Sequence, residues 1–243
     1  MGDVPATMPA EHRGVTFGFA GRLERAKGPL TLVEAFARIR STTPGARLRI
    51  AGSGSVGDEA RALASQIGVA DACEFAGYLE PGDKVGFMRT LDVFVLPTLA
   101  EGTPNSVAEA MALGIPTIAS DVGGLPDMLT VDSGLLVPPG DVDALVRAMT
   151  ALGGDPGRRA RMSAAARARY EQLFAPAAVV PLLVDTYCRI LSTTAQPPAN
   201  TGATRHPWSA GPAAVAEGDQ HLGVGATGTA VQFRGIHGDG VLH

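Results

Sequence analysis

Short apolar runs alternate with longer amphipathic segments along most of the chain. Val15-Thr16-Phe17-Gly18-Phe19-Ala20 reads as a buried strand and leads into a loop at Arg22. Pro29 then starts a helix in which Leu32, Val33, Phe36 and Ile39 approximate one face. Leu48–Ala51 is a strand ending at Gly52-Ser53-Gly54, Asp58–Ile67 a helix, and Glu74–Ala76 a short strand closed by Gly77. A helix over Asp83–Arg89 precedes the strongly apolar Leu91–Thr98. A further helix is expected to begin at Pro104, followed by strands at Ile115–Ser120 and Gly134–Val137. Asp141 caps a helix through Leu152, and Asp155-Pro156 opens another through Leu173. The last helix, about Ala177–Leu191, contains Pro181 and is expected to bend there. Strands alternating with helices imply a doubly wound parallel α/β sheet.

The pattern has limits at both ends. Residues 1–13 are polar with two prolines and read as a leader or linker. From Ser192 to residue 243 the periodicity gives way to Thr, Gln, Pro, Gly and Ala, which predicts a low-complexity, disordered tail. His206, His221, His237 and His243 fall in that tail without metal-ligand spacing, and no metal is expected. The periodic part, residues 14–191, is long enough for a sizeable core.

Charge and cysteine content narrow the function classes. A net charge of −4 speaks against a nucleic-acid partner held by a basic surface. Cys73 and Cys188 form no disulfide or zinc pattern. No uninterrupted apolar run approaches membrane-spanning length, and no signal-like start is visible, so a cytoplasmic chain is expected, with peripheral membrane contact left open. Arg158, Arg159, Arg161, Arg167 and Arg169 lie on one predicted helix, where such a run reads as a solvated face or an anionic-membrane contact.

The candidate chemistry centres on Glu101-Gly102-Thr103-Pro104-Asn105-Ser106-Val107-Ala108-Glu109, where two carboxylates stand eight positions apart. With Pro104 at the first helical position, the Asn105 and Ser106 amides lack intrahelical acceptors and offer an anion site. Glu109 lies about 7 Å further along the helix axis. Backbone donors for a phosphate thus sit beside carboxylate acceptors for hydroxyls, as a nucleotide sugar requires. Strand, loop, helix and strand here form a βαβ unit, and ligands gather at the carboxyl ends of such strands.

The stretch Glu101–Ala112, with Gly114-Ile115-Pro116 and Gly123-Gly124-Leu125-Pro126, resembles the donor-site signature of retaining family 4 glycosyltransferases. Gly21-Arg22-Leu23-Glu24-Arg25-Ala26-Lys27-Gly28 resembles the same family's Arg/Lys phosphate clamp. Together these matches cover about residues 14–191 in the family's order. The resemblance implies a Rossmann-like domain, the donor-binding half of a two-domain GT-B fold. Arg22, Lys27 and Glu101 would then serve catalysis, with Arg22 and Lys27 on the diphosphate and Glu101 on hydroxyls of the transferred sugar. Glu109 would take the ribose, Gly77, Tyr78 and Leu79 the base, and Gly21, Gly52, Gly54, Gly102, Thr103, Pro104, Asn105 and Ser106 would complete the donor site. The family's usual glycine is proline at 104, and its usual Glu after Gly-x-Pro is Asp127, expected to bond locally in its loop. No cofactor is implied, since the nucleotide sugar is a substrate. An acceptor-binding N-terminal domain is implied; with only fourteen residues before Val15, the chain is expected to be either a truncated half or the partner of a separate N-terminal polypeptide.

Three other readings compete. Gly52-Ser53-Gly54-Ser55-Val56-Gly57 after a strand, with Asp71 and Glu74 about twenty residues on, fits a dinucleotide fingerprint and hence an NAD-type oxidoreductase. A carboxylate pair also suits a glycosidase. A non-catalytic nucleotide-sugar-binding module would keep the donor motifs without transfer.

Overall fold

The computed structural model describes residues 14–194. The expected leader and all but the first three residues of the expected tail lie outside them. Six strands form one parallel sheet: β1 Thr16–Ala20, β2 Arg47–Ala51, β3 Cys73–Gly77, β4 Val93–Leu96, β5 Thr117–Ser120 and β6 Gly134–Val137. The spatial order is β3-β2-β1-β4-β5-β6. The order in which successive strands are added reverses between β1 and β4, and in such sheets a crevice outside the strand ends lies at that switch point.

The helices are α1 Pro29–Ile39, α2 Gly57–Gln66, α3 Pro81–Met88, α4 Asn105–Ala112, α5 Leu125–Met128, α6 Val142–Gly153, α7 Pro156–Leu173 and α8 Pro176–Thr194. Strands β1, β4 and β5 are buried at every residue because helices cover both faces. Helix α1 packs on α2 and α6, and α4 packs on α7. The expected face of α1 is borne out: Leu32, Val33, Phe36 and Ile39 are fully buried. Asp141 caps α6 by accepting from the Ala144 amide at 2.8 Å, and Asp155 caps α7 by accepting from Arg158 at 2.7 Å. On β3, burial pushes the Cys73 thiol up to about 12, so it stays protonated and unreactive.

Several boundaries differ from expectation. Helix α3 begins two residues early because Pro81 supplies its first position. The one-turn α5 was not anticipated; four residues carry too little periodicity to read. Asp127 on that turn is exposed, and its backbone carbonyl, rather than its side chain, accepts a bond, from Arg169 at 2.6 Å. Pro104 is the N-cap of α4 rather than its first residue, with extended backbone at φ −75° and ψ 120°.

The arginine run is also repurposed. Arg159 donates to the carbonyls of Leu152 and Gly153 at the end of α6. Arg167 donates to Ala112 at the end of α4, and Arg169 to Met128 and Asp127 on α5. These guanidinium groups satisfy orphan carbonyls at three helix C-termini, where a cation also meets the negative end of the dipole. A solvated face therefore describes only part of the run.

Helix α8 continues through Pro181 and past the expected boundary at Leu191. Val180, Leu183, Val184 and Tyr187 on it are all more than half exposed. The helical stretch 156–192 contains a window of mean hydropathy 1.4, only 6% buried, long and apolar enough to cross a membrane by length and composition. The expectation of no uninterrupted apolar run of that length stands, because this window includes charged residues. Asp185, Arg189 and Pro181 interrupt the apolar run, but the two charges pair with each other one turn apart.

Candidate functional site

Two loops at the carboxyl ends of β1 and β4 are stitched into one unit. The Leu99 amide donates to the Ala26 carbonyl at 2.7 Å, and the buried Thr98 hydroxyl reaches the same oxygen at 2.9 Å. Gly28 closes the 3₁₀ turn Arg25–Lys27 at φ +73°, where a Cβ would overlap the Pro97 carbonyl. Only glycine allows that approach, and it brings Lys27 across to the second loop. Lys27 Nζ donates to Glu101 Oε2 at 2.5 Å, with side chains 19% and 14% exposed. The two residues are 74 positions apart in sequence. An ammonium has three donors, so this bond leaves two for a phosphate.

The loop after β5 supports Glu101 from behind. Gly123, at φ +57°, lies so close to the Glu101 carbonyl that any Cβ would overlap it. The Gly124 amide donates to the Gly102 carbonyl at 2.9 Å. The Gly-Gly of the second motif thus fixes the backbone that carries the first carboxylate.

At the start of α4 the Val107 and Ala108 amides donate to the Pro104 carbonyl at 3.1 and 3.3 Å. The preceding amides, Asn105 and Ser106, have no intrahelical acceptor and mark the positive end of the helix. The helix begins one residue later than expected, and these two amides still stand at its start.

A cavity of about 560 Å³ opens between β1, β2, α3 and α4. Gly21, Arg22, Gly52 and Ser53 line it at the strand ends. Tyr78, Leu79, Val85, Met88 and Leu113 form a mainly apolar wall. Glu109 faces the cavity with Lys84, whose Nζ lies 2.5 Å from Glu109 Oε2. That oxygen is buried yet has no donor aligned as a hydrogen bond, so the contact is an ion pair with hydrogen-bonding capacity to spare.

Of the residues expected from sequence, Gly21, Arg22, Gly52, Tyr78, Leu79 and Glu109 share this cavity. Lys27 and Glu101 form their pair on the adjoining loops. Tyr78 is 69% exposed, which places it at the rim rather than in the packed core. Gly77 accepts from the Gly52 amide at 2.7 Å and joins the two strand ends. Gly54 is instead pressed on the Leu23 backbone and does not line the cavity. Thr103 is exposed, beside Gly124.

Sequence reasoning passed over Lys84, although a usable signal existed. Lys84 and Met88 are four apart on a helix, so the charge shares a face with an apolar residue.

The geometry opposes two competing readings. In Gly52–Gly57 the amides a pyrophosphate would need are already bonded: Ser55 to Glu24 Oε1 at 3.2 Å, Val56 to the Leu23 carbonyl at 2.9 Å, and Gly57 to Gly54 at 3.2 Å. The Ser55 hydroxyl and amide hold the Glu24 carboxyl below the usual carboxylate range, so an anion already occupies this turn. Glu74 is committed to Arg49 through a two-pronged bond of 2.6 and 2.8 Å. A glycosidase pair fares no better, because each of Glu101 and Glu109 faces an ammonium.

The family model of the glycosyl transferases group 1 matches residues 8–169. The chain belongs to this family. A GDP-mannose-dependent monoacylated alpha-(1-6)-phosphatidylinositol monomannoside mannosyltransferase from Corynebacterium glutamicum is 36% identical over 157 residues. That match takes in 62% of the chain and 41% of the relative. Sucrose-phosphate synthase from Thermosynechococcus elongatus superposes with TM-score 0.68 at 31% identity, over 76% of this chain and 47% of that one. The C-terminal domain of a glycosyl transferase group 1 family protein from Francisella tularensis superposes with TM-score 0.61. It is 22% identical, with 66% of this chain and 86% of that domain covered, and so speaks to the fold. The chain therefore spans less than half the length of the first two relatives and has the fold of one GT-B half, the donor-binding domain.

Proposed function

We propose that this group 1 glycosyltransferase domain binds a nucleoside diphosphate sugar and supplies the donor half of a retaining hexosyl transfer. The observation that carries the reading is that the loop after β1 lines the Glu109 cavity with Arg22 and, five residues on, pairs Lys27 with Glu101 on the loop after β4. The cavity takes the nucleoside, with the base along the wall of Tyr78 and Leu79 and the ribose at Glu109. The diphosphate lies between Arg22, Lys27 and the Asn105 and Ser106 amides, and Glu101 accepts from hydroxyls of the sugar.

As the glycosidic bond breaks, negative charge grows on the departing diphosphate. Arg22 and Lys27 act there, as fixed cations placed before the charge develops. The Arg22 fork can span two phosphate oxygens, whereas Lys27 supplies a point charge held in place by Glu101. The acceptor and the opposite wall of the cleft come from an N-terminal domain, on the same longer chain or a separate one. The apolar stripe of α8 supports such a partner, since a face of this kind gains stability when covered.

Calorimetric titration with UDP, GDP, ADP and NAD tests the reading. One nucleoside diphosphate should bind saturably. Lys27→Ala or Glu109→Ala should weaken it by about 1.5–3 kcal/mol, roughly ten- to a hundredfold or more, the range for a charged hydrogen bond. Binding of NAD alone, or equal binding by wild type and both variants, would overturn the assignment.

A further inference from the structure

Glu109 and Lys84 meet across the cavity from different helices, α4 and α3. The Lys84 side chain is 28% exposed and that of Glu109 44%, so the pair is bounded by protein on one side and open to the cavity on the other. Held loosely on a surface helix, a glutamate samples several rotamers, and fixing it costs conformational entropy. Here the ammonium at 2.5 Å restricts the carboxylate before any ligand arrives. It also offsets a negative charge that would otherwise repel an incoming diphosphate. Glu109 Oε2 is buried beneath it without an aligned donor.

We propose that Lys84 is a positioning residue that fixes Glu109 for recognition of a ribose cis-diol, and so makes the site select ribonucleotides over 2′-deoxyribonucleotides. The inference rests on the donor-site reading given above. A carboxylate has about four lone-pair sites, so it can keep Lys84 on one and accept from both ribose hydroxyls on others. With a deoxyribose, one hydroxyl is missing and a prearranged acceptor stays unsatisfied in a partly desolvated place. Sites arranged around a polar group reject the analogue lacking it for this reason. Without Lys84, Glu109 turns toward water, and the two sugars become nearly equivalent.

The test is calorimetry on the full chain with UDP, GDP and ADP, each against its 2′-deoxy counterpart. Wild type should prefer the ribonucleotide of the base it binds by about tenfold or more. In Lys84→Met, and in Lys84→Gln as a second neutral variant, the preference should fall to about twofold or less, whereas Lys84→Arg should retain it. A purely structural role for Lys84 would lower the melting temperature and leave the ratio unchanged. An unchanged ratio in both neutral variants therefore overturns the proposal while leaving the donor site intact. Tighter ribonucleotide binding by Lys84→Met would also overturn it, since the pair would then be an obstruction. A wild-type chain that binds none of the three diphosphates overturns the donor-site reading and this inference together.

Discussion

Gly123→Ala probes how the backbone of one motif positions the carboxylate of another. At φ +57° an alanine pays about 1–2 kcal/mol for the left-handed conformation alone. Its Cβ would also overlap the Glu101 carbonyl oxygen, well inside the 3.0 Å that real Cβ contacts respect, so the two loops must part by about 1 Å or more. That movement breaks the 2.9 Å bond from Gly124 to Gly102, a further loss of about 1 kcal/mol. The sum is about 2–3 kcal/mol. A domain of this size loses about 2–4 °C per kcal/mol, so thermal unfolding followed by circular dichroism should shift down by roughly 4–12 °C. The displacement also pulls Glu101 from Lys27, and affinity for the nucleoside diphosphate should drop about tenfold as Lys27 loses its fixed position. Gly102→Ala is the control for stability, because a Cβ there meets nothing within 4 Å. Gly123→Ala with wild-type melting and wild-type affinity would refute the claim that this glycine holds the Glu101 loop.

Gly86→Ala, in the interior of α3 where a Cβ meets nothing within 4 Å, should stabilise the domain by about 0.5–1 kcal/mol, read as a raised melting temperature. The Arg49 fork holds the Glu74 carboxyl below its ordinary 4.5, so this carboxylate binds protons less readily folded than unfolded. Its stabilisation is complete above about pH 4.5 and is lost as pH falls through the folded value. Melting curves from pH 7 to 3 should accordingly show a shallower acid decline in Glu74→Gln than in wild type, and parallel curves would show that the pair contributes nothing measurable.

Much of this molecule was legible residue by residue. The order of strands and helices follows from local causes: apolar runs, amphipathic periods, and the punctuation by Pro29, Asp141 and Asp155-Pro156. These act over a few positions, so a linear reading finds them. The donor motifs were legible for the same reason, since the Glu101–Glu109 spacing and the helix start between them belong to one continuous segment. Even there the register slipped by one, because a proline fits either the cap or the first turn, and only the carbonyl accepting from Val107 and Ala108 distinguishes them.

What the sequence could not determine are the meetings between distant segments. Lys27 pairs with Glu101 across 74 positions, Gly123 buttresses the carbonyl of Glu101, and Lys84 reaches Glu109 from another helix. Arg167 leaves its apparent solvated face to bond the end of α4, 55 positions away. The glycines at 52 and 54, which by themselves suit a dinucleotide, are committed to the backbone of the neighbouring loop. Each of these outcomes depends on the sheet order β3-β2-β1-β4-β5-β6, which sets the β1 and β4 loops side by side. Local propensity chooses the elements; only the burial of both sheet faces chooses their neighbours, and with them the partner of each charged group.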